Sequence, residues 1–144
     1  MRLFTIGFTK KTAEEFFTVL QRARVNRVVD IRLNNTSQLA GFAKGRDLRY
    51  FLHAIGGLDY LHCPELAPTQ EILDDFKKNK GSWSDYERSF TDLLAARRAC
   101  DAGAALLADG DCLLCSEPTP EHCHRRLVAD YLEKHLPDVE VIHL

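Results

Sequence analysis

Short apolar runs alternate with amphipathic stretches along this chain, and the alternation predicts its secondary structure. Residues 3–6 form a brief β-compatible run that ends at Gly7. Thr12 and Glu15 stand three residues apart, the spacing of a helix N-cap and its capping-box partner, so we expect a helix to start there. Apolar residues recur behind this cap at helical spacing: Phe16, Phe17, Leu20 and Ala23.

The following segments continue the pattern. Residues 27–31 (R-V-V-D-I) are a β-branched run without alternation, which is typical of a strand that is buried on both faces. A polar loop follows Arg32, and it is long for a connection between packed elements, as functional loops often are. A helix is predicted over residues 47–55, closed by a Gly-Gly pair, and a short strand over residues 59–62.

The second half of the chain predicts three helical stretches and two strands. The helical stretches cover residues 69–80, 82–109 and 119–135, the second with a break near residues 101–103, and the strands cover residues 112–115 and 139–143. Strands that alternate with helices are typical of a parallel sheet. We therefore predict an α/β fold: a three-layer domain with a mostly parallel sheet of about five strands and helices on both faces.

Length and composition fit one domain over residues 1–144, because 144 residues is a common domain size. The chain is 45% hydrophobic and 28% charged, which excludes a disordered protein. No apolar run is long enough to span a membrane, and a strand follows directly on Met1 and Arg2, so we expect no leader. Five cysteines without the spacing of a disulfide framework favour reduced thiols and a cytoplasmic location.

In open parallel sheets, ligands bind beyond the carboxyl ends of the strands, where the strand-to-helix loops meet. This rule gathers four segments at one edge of the sheet: residues 7–10, 30–38, 62–69 and 115–126. The last segment, C-S-E-P-T-P-E-H-C-H-R-R, contains two thiols, two imidazoles, two carboxylates and two guanidiniums. This density makes it the strongest candidate for a functional site.

Helical periodicity predicts the geometry of this segment. Thr119 and Pro120 are a favourable N-cap and first-turn pair, so we expect the helix to begin there. His124 then projects onto the centre of the buried face, with Cys123 and Arg125 at its edges. The helix N-terminus would add free N–H groups and a positive potential, which favour an anion or a thiolate. Two neighbours should face solvent: His122 and Arg126.

Each of these residues also has a purely structural interpretation. An inward His124 can be a hydrogen-bonded core residue, and Cys115 can be a small apolar residue that ends a strand. Arg125 can form a buried ion pair with Glu117 or Asp30, an arrangement that specifies a fold more than it stabilises it. The sequence leaves both interpretations open.

Four motifs in order give the chain a resemblance to a known family. They are I-G-F-T, V-V-D-I-R, H-C-P-E-L and C-S-E-P-T-P-E-H-C-H-R-R. Over nearly its whole length the chain resembles the bacterial and archaeal domain of unknown function family 488, whose pattern runs approximately T-I-G-H-S, V-D-V-R, H-x-P-E-L and C-x-E-x-x-x-x-H-C-H-R. The resemblance implies an α/β fold and assigns no reaction. It points to these residues: Asp30, Arg32, Cys115, Glu117, Cys123, His124 and Arg125.

Two departures from the family pattern bear on the site. Phe8 stands where the family often has His, which argues against a chemical role for that position. The loop after Arg32 reads L-N-N-T-S-Q, where many members have Ser and Pro with further basic residues. A substrate contact from this loop should therefore differ, and Asn34 is its candidate.

The main hypothesis is an enzyme or ligand-binding protein that takes a small anionic, phosphate-bearing ligand. Cys115 or Cys123 would be the nucleophile, or His124 would transfer protons together with Glu117 or Asp30. The spacing from Cys115 to the following arginines is too long for a phosphatase loop of the Cys-x5-Arg type. The residues expected to contact substrate are Asp30, Arg32, Asn34, Cys123 and Arg125.

Two other classes of function stay open. Cys115, Cys123 and His124 suit Zn²⁺ or Fe²⁺, with Asp30 or Glu117 as a fourth ligand, although their spacing, C-x7-C-H, lacks the paired C-x2-C knuckle of common zinc sites. A non-catalytic module that binds nucleic acid or a partner protein would use the basic residues concentrated in the first third of the chain, despite a net charge of −2. The sequence specifies no cofactor and no oligomeric state.

Overall fold

A computed structural model describes residues 1–36 and 40–144, so residues 37 and 38 of the predicted polar loop lie outside the described part. Five parallel strands form one sheet in the order β3-β2-β4-β1-β5. The strands are β1 (Arg2–Gly7), β2 (Arg27–Asp30), β3 (Asp59–His62), β4 (Asp111–Cys115) and β5 (Glu140–His143). The helices are α1 (Ala13–Arg22), α2 (Gly45–Gly56), α3 (Gln70–Lys77), α4 (Trp83–Ala96), α5 (Ala99–Leu106) and α6 (His124–His135). The predicted α/β fold is confirmed.

Helices cover the sheet on both faces because the strand residues alternate between two apolar layers. Within β4, Cys112 and Leu114 face one layer and Leu113 faces the other. The first layer contains the apolar faces of α1 and α2, including Phe16 and Leu48. The second layer contains apolar residues of α3, α4, α5 and α6. The result is the three-layer arrangement that the alternation of elements predicts.

The pairing of the central strands brings their carboxyl ends together. Gly7 at the end of β1 lies opposite Cys115 at the end of β4. On the other side of β4, Asp30 of β2 lies opposite Leu114. Neighbouring strands are about 5 Å apart, so the loops that follow β1, β2 and β4 start side by side. This edge of the sheet is where the sequence places the site.

Local sequence signals predict several helix ends correctly. The Thr12 hydroxyl accepts a hydrogen bond from the backbone N–H of Glu15, and the Glu15 carboxylate accepts one from the N–H of Thr12. This is the capping box predicted for α1. At the end of α2, Gly57 adopts φ +63°, the left-handed conformation that closes many helices.

Several helix boundaries differ from the prediction. The helix α3 ends at Lys77, three residues early, because the N–H groups of Lys78 and Asn79 both donate to the carbonyl of Asp74. The predicted break in the long helical stretch is present, but it lies at Arg98, which has φ +53°, three residues before the predicted residues 101–103.

A tight contact between two helices explains the glycine at the site of the predicted break. Gly103 lies inside α5, and a Cβ there would come within 2.6 Å of the Leu132 side chain of α6. The glycine therefore lets α5 and α6 pack closely, and it does not end the helix.

The last helix begins at His124, so the predicted start at Thr119 is wrong. Residues 116–123 form an irregular loop, and Cys123 occupies the cap position with an extended backbone, φ −130° and ψ 139°. The Thr119 side chain hydrogen-bonds to the carboxylate of Glu121 instead of capping the helix. The Thr-Pro signal is therefore overridden by contacts that this loop makes with the end of the sheet.

Gly7 allows this loop to close over β1. A Cβ built at Gly7 would lie 1.6 Å from the carbonyl oxygen of Glu117 and 2.7 Å from Nη1 of Arg125. Arg125 Nη1 donates a hydrogen bond to that same carbonyl. The missing side chain at Gly7 therefore sets how closely the loop approaches the strand.

Among the described residues, no helix is long and apolar enough to cross a membrane.

Replacing Gly7 by Ala should lower the free energy of unfolding by about 1–3 kcal/mol or more, because the backbone carbonyl of Glu117 cannot move aside as a flexible side chain would. Urea denaturation followed by circular dichroism measures this change. Gly41→Ala is the matched control, because a Cβ there meets no described atom within 4 Å. Equal losses in the two variants would contradict the close approach at Gly7.

Candidate functional site

A cleft of about 170 Å³ opens where β2 and β4 end. Three of the predicted site residues line it with sulfur and imidazole groups: Cys115, Cys123 and His124. Arg32 and Lys77 bring positive charge to the same cleft. Helices α3 and α4 contribute an aromatic wall: Phe76, Trp83 and Tyr86.

The two thiols and the imidazole are in direct contact. Cys115 Sγ lies 3.3 Å from His124 Nδ1 and 2.8 Å from Cys123 Sγ. All three residues are buried, with 3%, 8% and 2% of the surface of Cys115, His124 and Cys123 exposed. The inward direction predicted for His124 is therefore confirmed, and Cys123 is buried with it.

A backbone carbonyl fixes the tautomer of His124. Its Nε2 lies 2.8 Å from the carbonyl oxygen of Ile31, which can only accept a hydrogen bond, so Nε2 carries the proton. Burial lowers the pKa of His124, so the ring is neutral near pH 7 and Nδ1 keeps its lone pair. That lone pair faces Cys115 Sγ. Phe90 packs edge-on against the ring and holds it in place.

The two thiols differ in acidity. Burial alone would raise the pKa of Cys115, but hydrogen bonds from Cys123 and from the backbone N–H groups of Glu117 and Ser116, together with the charge of Arg125, bring it below its ordinary value. The hydrogen bond that Cys123 donates to Cys115, and its own burial, raise the pKa of Cys123 strongly. Cys115 is therefore the more acidic thiol of the pair.

Arg125 is a fully buried cation, and it does not form the ion pair with Glu117 or Asp30 that the sequence left open as one interpretation. Its Nη1 donates to the main-chain carbonyl of Glu117 and lies 3.6 Å from Cys123 Sγ. Its Nε and Nη2 have no hydrogen-bond partner among the described residues. Because a buried cation needs a compensating charge, the sulfur pair beside Arg125 is the group that can supply it.

Asp30 and Arg32 pair with each other. Arg32 Nε and Nη2 donate to the two carboxylate oxygens of Asp30 at 2.8 and 2.7 Å, and Nη2 also reaches the carbonyl of Ala43. The Tyr60 hydroxyl donates to Asp30 at 2.6 Å. Arg32 Nη1 makes no hydrogen bond within the described residues. Asp30 therefore orients a cation of the cleft, and its carboxylate is not directed at His124.

Phe8, the departure from the family pattern, packs against Arg32. The Arg32 guanidinium lies over the Phe8 ring, 5.1 Å from its centroid. Only 5% of the Phe8 surface is exposed. This aromatic position therefore supports the orientation of the guanidinium and offers no titratable group to the site.

The remaining predicted residues lie at the rim of the cleft. The Glu117 side chain is 45% exposed and lies 3.8 Å from Lys77 Nζ. Asn34 lines the cleft and its Nδ2 lies 3.5 Å from the side-chain oxygen of Gln70. His122 is exposed as predicted, yet its ring lies 4.9 Å from that of Trp83 and lines the cleft.

Sequence reasoning missed the aromatic wall. Trp83 and Tyr86 stack with centroids 5.1 Å apart, and Phe76 packs on Tyr86 at 5.0 Å. Apolar residues at helical spacing look the same in a sequence whether they line a cleft or fill a core. Only the density of aromatic residues at the junction of α3 and α4 could have suggested a wall.

The same donor atoms could hold a metal ion. One sulfur each from Cys115 and Cys123 and one nitrogen from His124 all lie within 4.8 Å of one another. The proposed fourth ligands do not join this group, since the carboxylate of Asp30 is held by Arg32 and Tyr60. The geometry is thus compatible with thiol chemistry and with a metal bound by three protein ligands.

Two of the basic residues predicted for nucleic-acid binding are already neutralised. Arg27 pairs with the buried Asp111 at 2.6 Å, and Arg32 pairs with Asp30. These guanidiniums are engaged within the fold, so a phosphate backbone would have to compete with buried carboxylates for them.

A larger groove of about 450 Å³ lies against β3 and α5, away from these groups. Its lining is mainly apolar and includes none of the predicted site residues. Burial raises the pKa of its only thiol, that of Cys63, to about 11. Its cation, Arg97, is held by the carbonyls of Glu65 and Ala67. The smaller cleft, in which two thiols contact an imidazole, is therefore the better candidate for a reactive site.

Comparison with known protein families gives a match over most of the chain. The family model described as "Domain of unknown function DUF488" matches residues 12–132, which include α1 and extend into α6. No curated protein and no solved structure matches the chain.

Replacing Asp30 by Asn should lower the free energy of unfolding by about 3–5 kcal/mol, because Arg32, only 3% exposed, would lose its countercharge. Guanidinium denaturation measures the loss. The double variant Asp30→Asn with Arg32→Met should recover part of it, since it removes the unpaired charge as well. A stability of the single variant close to that of the unmodified protein would show that the pair does not matter for folding.

Proposed function

Because the chain belongs to the family of the domain of unknown function DUF488, whose description names no reaction, we propose from the chemistry of the cleft that it is a cysteine-dependent enzyme. Its substrate is a small anionic, phosphate-bearing molecule, which forms a covalent intermediate on Cys115. The observation that carries this proposal is the contact between Cys115 Sγ and a His124 ring whose tautomer is fixed by Ile31.

The nucleophilic step uses atoms that already touch. Cys115 Sγ attacks an electrophilic centre of the substrate while its proton passes to His124 Nδ1, 3.3 Å away. The bond to the leaving group breaks, and Nδ1–H gives its proton to that group. Water then attacks the intermediate with Nδ1 as the base, the bond to sulfur breaks, and the proton returns to Cys115.

The surroundings of Cys115 support a negative sulfur during these steps. The backbone N–H groups of Ser116 and Glu117, in the loop after β4, lower its pKa. The buried guanidinium of Arg125 lies close by, 3.6 Å from the partner sulfur of Cys123. Donors that are fixed before the reaction stabilise developing charge without reorganisation.

The cleft also suits an anionic substrate. Arg32 is held rigidly by Asp30, and its Nη1 has no partner within the described residues. Lys77 lies at the mouth of the cleft with 60% of its side chain exposed. The wall that contains Trp83 and Tyr86 offers flat surfaces to a substrate that carries a planar group.

The proposal is tested with two small electrophiles that differ only in charge, iodoacetate and iodoacetamide. At pH 7, Cys115 should react at least about tenfold faster than Cys63, because the thiolate fraction falls tenfold for each unit by which a pKa rises. The ratio of iodoacetate to iodoacetamide rates should be higher at Cys115 than at the partly exposed Cys100. Peptide mass spectrometry measures each rate, and inorganic phosphate should slow the reaction at Cys115.

Matched variants separate the roles in this experiment. Lys77→Met should lower the iodoacetate rate at Cys115 and leave the iodoacetamide rate unchanged, whereas Lys78→Met, outside the cleft, should change neither. His124→Asn should slow both reagents about tenfold or more. If Cys115 is no more reactive than Cys63, or shows the same charge ratio as Cys100 in a folded protein, the proposal is wrong.

A metal centre is the second candidate, favoured by the three donor atoms that lie within 4.8 Å. A histidine whose second nitrogen donates to a carbonyl is also the usual arrangement around metal ions. With the sulfurs of Cys115 and Cys123 and one nitrogen of His124 as ligands, a metal ion would keep one coordination position open toward the cleft, as in catalytic zinc sites.

Elemental analysis distinguishes the two candidates. Protein that is produced with added zinc and iron and purified without chelators should contain far less than one metal ion per chain if Cys115 is the nucleophile. Treatment with EDTA should then leave the alkylation rate of Cys115 unchanged. A metal content close to stoichiometric that is lost in Cys123→Ser would assign the cluster to metal binding instead.

A further inference from the structure

Cys115 and Cys123 are placed to react with each other. Their sulfur atoms are 2.8 Å apart, and a disulfide bond of about 2.05 Å requires them to approach by less than about 1 Å. Neither residue lies inside a helix: Cys115 ends β4, and Cys123 has an extended backbone before α6. Small adjustments of the loop between them can therefore close the bond.

The remaining cysteines offer no comparable pair. Cys112 lies on the same strand as Cys115 but faces the opposite apolar layer, and Cys63 lines the separate groove against β3. Cys100 is partly exposed on α5, where its sulfur lies 3.9 Å from a carboxylate oxygen of Asp101. Among the described residues, Cys115 and Cys123 are therefore the pair whose sulfur atoms are close enough to form a disulfide.

We propose that Cys115 and Cys123 form a dithiol–disulfide site that reduces a small hydroperoxide. The inference deepens the proposed function, since it rests on the same Cys115 sulfur as the nucleophile. Cys115 faces both the cleft and the base His124, so it meets the oxidant first. Cys123 already donates its S–H to Cys115, so it is the second thiol.

The steps balance in atoms and electrons. Cys115 Sγ attacks the terminal oxygen of the hydroperoxide and passes its proton to His124 Nδ1; the O–O bond breaks, and the alcohol leaves with that proton. Cys115 is then a sulfenic acid. Cys123 Sγ attacks the Cys115 sulfur, the S–O bond breaks, and the hydroxyl leaves as water with the proton of Cys123. Two thiols are oxidised by two electrons, and the hydroperoxide is reduced to an alcohol and water.

The disulfide would also inactivate Cys115 as a nucleophile. Cys115 could then neither attack a substrate nor donate its proton to His124. A disulfide cannot carry the negative charge that a thiolate can, so Arg125, 3.6 Å from Cys123 Sγ, would be a buried cation that neither sulfur can compensate. The oxidised site should therefore be readily reduced by an added thiol.

Hydrogen peroxide, followed by peptide mass spectrometry without reduction, tests the inference on the complete chain. A Cys115–Cys123 linkage should form, lower the intact mass by two hydrogen atoms and disappear on treatment with dithiothreitol. Cys112→Ala is the matched control on the same strand and should form the linkage as readily. Oxidation should abolish alkylation of Cys115 by iodoacetate, and reduction should restore it.

Two variants follow the individual steps. In Cys123→Ser, Cys115 should stop at the sulfenic acid, which dimedone traps, because the second thiol is missing. In Cys115→Ser, Cys123 should stay reduced at the same peroxide concentration. Oxidation of Cys123 in Cys115→Ser, at the rate seen in the unmodified protein, would overturn the order of the two steps.

The alkylation and peroxide experiments together distinguish a failure of this inference from a failure of the proposed function. If Cys115 keeps its preference for iodoacetate in Cys123→Ser, while the unmodified protein forms no linkage with peroxide, only the disulfide site is disproved. If peroxide converts Cys115 to a sulfinic acid with Cys123 still free, the second thiol does not act and the inference fails. Formation of the linkage without any preference for iodoacetate would support the inference and reject the anionic substrate.

Discussion

The hydrogen bond from His124 Nε2 to the carbonyl of Ile31 connects the start of α6 to the end of β2, and the chemistry of the cleft depends on it. A carbonyl oxygen cannot donate, so this bond decides which nitrogen carries the proton. The other nitrogen is then directed at Cys115, which ends the neighbouring strand β4. Without the bond, a buried histidine could adopt either tautomer, and its contact with a thiol would have no defined direction. The parallel register of β2 and β4 supplies this constraint, since it fixes the two strand ends relative to each other.

The two buried arginines of the site are stabilised in different ways. Arg32 is paired with Asp30 through two hydrogen bonds, so its charge is balanced within the fold. Arg125 has a carbonyl and a sulfur as its neighbours, and two of its nitrogens lack a partner among the described residues. A carboxylate beside Arg125 would have made it an architectural ion pair. Because the sulfur of Cys123 lies beside Arg125 where a carboxylate could have been, the cation can influence the reactivity of the thiols. Arg125 also donates to the carbonyl of Glu117 in the loop that packs over Gly7, so the packing of this loop affects the chemistry of Cys115.

Much of this arrangement follows from local sequence patterns, and the failures have identifiable physical causes. The order of strands and helices, the Thr12 capping box and the inward direction of His124 depend on periodicity and on short-range hydrogen bonds, which a sequence displays directly. The start of α6 does not, because the Thr119 signal competes with a contact between Glu117 and Gly7, more than a hundred residues apart in the chain. The sequence left the partner of Arg125 open for the same reason: tertiary packing makes the choice between a carboxylate and a carbonyl. The aromatic wall was missed because cleft-lining and core residues share one periodicity.

Charge balance gives a reason to prefer a thiol site over a metal site in this cleft. A divalent metal bound by two thiolates and a neutral imidazole carries no net charge, so Arg125 would remain an uncompensated cation in a buried environment. Loss of the proton from Cys115 alone, with Cys123 protonated and donating to it, would neutralise the same guanidinium. Desolvation penalises a buried net charge, so the second arrangement is favoured unless an anionic ligand enters with the metal. The same argument favours loss of the proton from Cys115 before Cys123, and it makes the sulfur of Cys115 the atom on which the reactivity of the cleft depends.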